Sequence, residues 1–418
     1  MTRPYLLLLA LFLILQTACN NAGAPATEPP AAASPTPAAP ATRGEVQEPT
    51  GASPTATNAR PSPQAADTAT SQSPTPTADA QWRYFESPEY GVQAFMWWRP
   101  DVAQRDLGLI HDMGFGWVKQ GFAWRDIETH EKGSYDWWKA DNIVQQVEDA
   151  GLQLVARIDR QPFWSQVDPS TPLENAPPAD LDDFGDFCGE LAARYRGRIA
   201  AYQVWNEPNL SREWGEQAPD PQAYTELLRV CYEAIKAADP QAIVISAGLS
   251  PTGVNSAEAM PDTDYLQGMY DAGAADYYDV LGLNAPGYAA PPEMSPEEGA
   301  EAYRHRSFVF RRVEDMRQIM VDNGDRQKQV AILEMGWMVE QDIHELYWHG
   351  VSEEEQADYL VRAYQYAREN WQPWIGLMTT IYIADYDWTP DNEQWWWSIV
   401  LPDGTPRPAY EALMEMEK

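Results

Sequence analysis

The sequence is poor in cysteine and in positive charge, and it has no long apolar run. Three cysteines in 418 residues cannot build a disulfide framework or a cysteine-rich zinc module. Only 29 Lys and Arg stand against 63 Asp and Glu, a formal charge of −34. Such acidity argues against nucleic acid or an anionic membrane surface as the main partner, because like charges repel and no counterions are released. The longest apolar run, Tyr5 to Leu15, falls short of the roughly 20 residues a membrane-spanning helix needs. No glycine-rich turn of the dinucleotide or P-loop kind follows any strand-like segment, and no internal repeat is visible. What the chain has in excess is tryptophan, 18 of them, flat apolar rings suited to neutral partners. Its length allows two or three average domains or one large α/β barrel.

Residues 1–80 read as address and spacer. Arg3, the short apolar run and the small residues after it form an export signal. Leu15-Gln16-Thr17-Ala18-Cys19 resembles a bacterial lipoprotein signal, which implies Cys19 as the lipidated first residue of a cell-surface lipoprotein; simple secretion is the alternative. Residues 20–80 hold twelve prolines, no aromatic residue and Val46 as the sole large aliphatic. Such a stretch cannot bury enough surface to offset its ordering entropy and is expected to be a disordered, semi-extended linker. Nearly all the acidity then belongs to a folded part at 81–418, expected to be monomeric and to meet the membrane only through the anchor.

From Tyr90 onward β-rich runs alternate with amphipathic stretches. Strands are predicted at Val92–Met96, Trp117–Gly121, Leu152–Ile158, Ile199–Trp205, Ala242–Ala247, Tyr278–Leu283, Gln329–Leu333 and Gly376–Tyr382. Helical stripes recur between them, as at Phe184, Phe187, Cys188, Leu191 and Tyr195, or Tyr224, Leu227, Leu228, Cys231 and Ile235. Eight such units fit an α/β fold, a (β/α)8 TIM barrel with enlarged loops. An open doubly wound sheet is the competing architecture. Cys188 and Cys231 lie on apolar stripes and are expected to be small buried thiols; a disulfide between neighbouring helices is the alternative for an exported protein.

In a barrel, reacting groups collect where strands end. Two ends stand out: Tyr202-Gln203-Val204-Trp205-Asn206-Glu207-Pro208 and Val330-Ala331-Ile332-Leu333-Glu334-Met335-Gly336-Trp337. A carboxylate ending an apolar strand is costly unless it has partners or a task. Trp205-Asn206-Glu207-Pro208 resembles the Asn-Glu-Pro signature of glycoside hydrolase clan A, retaining enzymes on (β/α)8 barrels. Glu334, at the end of the seventh strand, is similar to that clan's second glutamate. The resemblance covers roughly residues 85–415 and implies a hydrolase cleaving β-glycosidic bonds in oligo- or polysaccharides. It makes Glu207 the general acid/base and Glu334 the nucleophile, with Asn206 on the sugar 2-hydroxyl and no metal or organic cofactor.

Sugar faces stack on aromatic rings, and Trp164 and Trp337, each just past a strand end, are the foremost candidates, with Tyr382 a weaker one. Asn284 stands where relatives usually carry His, with Tyr288 close behind it, and Tyr382 stands where relatives commonly have Trp. Both departures alter contacts around the sugar and leave its identity open. His344-Glu345-Leu346-Tyr347-Trp348-His349 is no zinc helix, since its histidines are five apart and do not share a face. The alternative function is a carbohydrate-binding lipoprotein whose glycosidase-like barrel does not turn over.

Overall fold

The computed structural model describes residues 84–339 and 349–418. The signal-like segment with Cys19, the linker 20–80 and His344 to Trp348 lie outside the described residues. Eight strands, β1 (Glu89–Gln93), β2 (Trp117–Ala123), β3 (Gln153–Asp159), β4 (Ala201–Val204), β5 (Ile243–Ile245), β6 (Val280–Asn284), β7 (Gln329–Met335) and β8 (Ile375–Thr380), run in order around a closed barrel. Every pairing is parallel, and β1 closes the ring by pairing with both β2 and β8. This is the (β/α)8 architecture, not the open sheet. Strand β1 begins earlier than the residue pattern predicts, because Glu89 and Tyr90 pair with Leu377 and Met378 of β8.

Alternate side chains of a strand point to opposite faces, and here one face of every strand fills the barrel. The lower interior is an apolar plug that includes Trp117, Val155, Ala201, Ile245, Val280 and Leu333. Phe85 closes it from below with its ring 5.2 Å from that of Trp117. Two residues further along the same rows come Lys119, Arg157 and Gln203. The interior therefore changes from apolar to charged within one step up the strands.

Outside the barrel lie, in chain order, α1 (Pro100–Asp112), α2 (Trp124–Ile127), α3 (Trp138–Asp149), α4 (Leu181–Arg194), α5 (Pro221–Ala238), α6 (Asp262–Asp271), α7 (Pro296–Tyr303), α8 (Arg312–Asp322), α9 (Glu353–Asn370), α10 (Glu393–Trp397) and α11 (Pro408–Glu415). Their starts follow capping chemistry. Asp220 accepts from the N–H groups of Gln222 and Ala223 ahead of α5. Ser352 and Glu355 form a reciprocal capping box on α9, which satisfies donors that the first helical turn leaves free. Helices α4 and α5 turn their apolar stripes to the sheet and to each other, which brings Cys188 and Cys231 together as a disulfide with an S–S distance of 2.07 Å. This corrects the expectation of two free thiols: each stripe is wide enough that its cysteine faces the neighbouring helix.

Candidate active site

Strand β4 ends at Val204, and the chain then turns sharply. Trp205 and Glu207 have φ of 71° and 41°, a region that residues other than glycine seldom occupy and that costs of order 1–3 kcal/mol each. Surrounding bonds hold the turn. The Trp205 N–H donates to Ile158 O and the Glu207 N–H to Gly248 O, at 2.8 and 3.1 Å. The Trp205 indole donates to Glu213 O at 2.8 Å. Asn209 pins the following loop by donating to Ser250 O and accepting the Ser250 N–H. The outcome is a Glu207 side chain directed into the barrel mouth and 5% exposed.

Glu334 reaches the same mouth by another device. The β7 register slips against β6 at Leu283/Asn284 and against β8 between Ile332 and Met335. Bulges of this kind re-aim side chains next to active sites; here the residue after inward-facing Leu333 also turns to the interior. Asn284, opposite Glu334 across the ladder, joins the two carboxylates. Its Nδ2 donates to Glu207 Oε1 at 3.0 Å and makes a longer contact of 3.5 Å with Glu334 Oε2. Those oxygens are therefore at most about 6.5 Å apart, the sum of the two contacts. Retaining glycosidases hold their carboxyl groups about 5–5.5 Å apart and inverting ones about 6.5–9.5 Å, and this upper limit is compatible with the retaining spacing. Gly248 makes the bridge possible, since a Cβ there would stand 2.2 Å from Asn284 Oδ1.

The two carboxylates have unequal surroundings. Lys119 Nζ donates to Glu334 Oε1 at 3.0 Å and to Leu333 O at 3.1 Å. Arg157 Nη1 lies 3.6 Å from the same Oε1, while its Nε pairs with Asp159 at 2.9 Å. Two cations thus face Glu334. Burial pulls the Lys119 ammonium down to about 8, against the opposing pull of Glu334, so it remains mainly charged at neutral pH. Glu207 meets one cation, Arg212, whose Nη2 donates to Oε2 at 3.0 Å from a side chain 30% exposed. Burial pushes the Glu207 carboxyl above its ordinary value; Arg212 opposes this, and the negative charge of Glu334 adds to it. The two glutamates thus differ in their partners: Glu334 has two cations beside it and Glu207 one, with burial acting against the charged form of Glu207.

The remaining predicted residues divide. Asn206 is buried beside Glu207 and accepts from Gln203 Nε2 at 3.3 Å. Tyr288, at φ 53°, donates its hydroxyl to Pro251 O at 3.2 Å. Burial first, then Asp262 and Glu207, raises its pKa and keeps the phenol neutral. Tyr382 packs on Phe95 and Trp388, with ring centroids 5.6 and 5.4 Å away. Trp164 is half-buried, its indole donating to Glu128 O at 2.8 Å. Trp337 does not fit a stacking role. It is fully buried, donates to Ala290 O at 2.9 Å and lies flush against Gly287. The β7 slip that turns Glu334 inward leaves this ring in the packing behind the mouth, where a sugar cannot reach its face.

Residue patterns did not single out Lys119, Arg157, Arg212 or Glu393. For Lys119 and Arg157 a signal existed: cations at alternate positions of otherwise apolar strands must face the barrel interior or be buried unpaired. Glu393 is buried on α10, accepts from the Trp397 indole at 3.1 Å, and is pushed by burial up to about 7, with Arg212 and Glu207 acting on it in opposite senses. His349 is likewise buried, and burial lowers it to about 4.

No family model and no curated protein sequence matches the chain. Solved structures do match in shape. A family 39 glycoside hydrolase from the gut symbiont Bacteroides cellulosilyticus WH2 superposes with a TM-score of 0.57 at 20% identity, over 78% of this chain and 63% of its own. This chain thus spans less than two thirds of that protein. A GH5_18 protein from Streptomyces cattleya, solved with GlcNAc, gives 0.57 at 13% identity over 79% of this chain and 80% of its own. A GH10 endoxylanase retrieved from a sugarcane soil metagenome gives 0.53 at 15% identity over 79% and 98%. At these identities the likeness is one of fold.

Proposed function

We propose that this chain is a retaining β-glycosidase that acts on oligo- or polysaccharide outside the cytoplasm, held there by a lipid on Cys19. The observation that carries the reading is the single amide of Asn284 in contact with both Glu207 and Glu334, carboxylates from opposite sides of the barrel in unlike electrostatic settings. The shape shared with glycoside hydrolases of three families supports it. The Cys188–Cys231 disulfide suits an oxidising, extracytoplasmic setting.

Ionised Glu334 attacks the anomeric carbon while Glu207 gives its proton to the leaving oxygen, so the glycosidic bond breaks as a glycosyl ester on Glu334 forms. Glu207, now ionised and steadied by Arg212, takes a proton from water. The hydroxide attacks the anomeric carbon, Glu334 departs as carboxylate, and configuration is retained. Asn206 would hold the 2-hydroxyl, and Asn284 keeps both carboxyl groups in register through each step.

Glu207→Gln tests the assignment through leaving groups. Turnover of aryl glycosides with poor leaving groups should fall about 1,000-fold, the middle of the range a general acid contributes. Activated aryl glycosides should lose far less in their first step. Equal losses for both kinds would remove Glu207 from the acid role, and no turnover of any glycoside by the parent protein would favour a barrel that only binds.

A further inference from the structure

The mouth continues into a surface that the two-glutamate chemistry does not use. Tyr382 lies two residues beyond Thr380, which pairs with Met335 next to Glu334, so the chain carries it past the strand end on the side of Glu334. From there an aromatic path leads outward. Phe95 packs on Tyr382 and, at 4.7 Å, on Trp388; both Phe95 and Trp388 are partly exposed. Next along the same loop, Trp97 packs edge-on against Phe122 at 5.5 Å, and its buried indole N–H has no hydrogen-bond partner. Trp98 and Tyr386 are 49% and 38% exposed. Cations brace both: Lys139 Nζ sits 3.6 Å from the Trp98 ring centre, and the Arg99 guanidinium 5.2 Å from that of Tyr386.

Rings of this size left open to water cost apolar hydration. A cation held on one face fixes the ring and leaves its remaining surface presented. Resting on the glycosidase reading above, we infer that Trp98 and Tyr386, with Phe95 and Trp388, form an extended binding platform for an uncharged β-linked polysaccharide whose chain passes from the rim of β8 and β1 into the catalytic mouth. Sugar faces stack on the exposed rings. The uncharged class follows from the charges present. Arg99 is held by Asp101 at 2.6 Å and Lys139 by the Trp98 ring, so the cations beside the exposed rings are engaged, and the chain as a whole carries −34, which repels an acidic glycan. A platform away from the bond being broken means that the natural substrate is a polymer.

The test is gel retention of the full chain carrying Glu334→Gln, which needs no turnover, in gels holding soluble xylan, mixed-linkage β-glucan or polygalacturonate. Retention by a neutral glycan is expected, weakened about tenfold by Trp98→Ala together with Tyr386→Ala and restored by Trp98→Phe with Tyr386→Phe. In the parent background the same alanine pair should lower the ratio of polymer to aryl-glycoside kcat/KM about tenfold. Retention by polygalacturonate alone, by none of the three, or to the same degree after the alanine changes overturns the platform. A chain retained by neutral glycan that turns over no glycoside would keep the platform and refute the glycosidase reading.

Discussion

The two halves of the barrel interior are built from the same strands and differ in every other respect. The lower half carries Trp117, Val155, Ala201 and Leu333; the upper half carries Lys119, Arg157, Gln203 and Glu334. One step along β2, β3 or β4 crosses the boundary, and on β7 a register slip makes the crossing in a single residue. Below, dispersion and apolar burial hold the barrel closed. Above, each buried charge is set against another, so that breaking one pair strands its partner at a cost of several kcal/mol. On the proposed function, stability and chemistry are separated by height, an arrangement that lets loops vary without loss of the fold.

The separation can be broken at adjacent residues. Leu333→Ala, below the boundary, should cost about 2–5 kcal/mol of stability, as fully buried leucines do, and leave kcat/KM within a few-fold of the parent. Lys119→Met, above it, removes the direct cation on Glu334 and should lower kcat/KM about 100-fold, the scale of losing one preorganised charge contact in a site. Thermal denaturation and steady-state kinetics on both variants check the contrast; a Leu333→Ala enzyme that is stable but dead would erase it.

Within the upper half, Arg212 sharpens the comparison of the two glutamates. It pulls the Glu207 pKa down against burial. Arg212→Gln should therefore raise that pKa further, keep the acid protonated to higher pH, and move the alkaline limb of kcat/KM upward by about one unit, the size of a single charge partner's effect. A limb that moves down, or stays in place, would mean that Glu207 does not set it.

Much of this arrangement was legible in the residues. Apolar runs ending in Asn206-Glu207-Pro208 and in Glu334-Met335-Gly336 drew attention to both carboxylates, because a charge at the end of a buried strand needs a reason. The eight strands followed from the alternation of β-rich runs with amphipathic stretches. The fate of Trp337 was not legible, since it depends on a register slip that leaves no mark on composition. The Cys188–Cys231 bond depends on which stripes face each other, and periodicity does not give the rotation of one helix against its neighbour. Arg212 sits on a single 3-10 turn, Ser211–Glu213, too short to show a periodicity, and it meets Glu207 only through the way the chain folds back after β4.

The central claim is that Glu334 bonds covalently to the sugar while Glu207 handles the proton. A 2-deoxy-2-fluoro glycosyl fluoride, matched to an aryl glycoside that the protein cleaves, slows release of the intermediate and allows it to be weighed. Intact mass should rise by one fluoroglycosyl unit, with the adduct on the peptide carrying Glu334 and none formed on Glu334→Gln. A protein that cleaves the glycoside yet carries the label elsewhere, or none at all, would contradict the account.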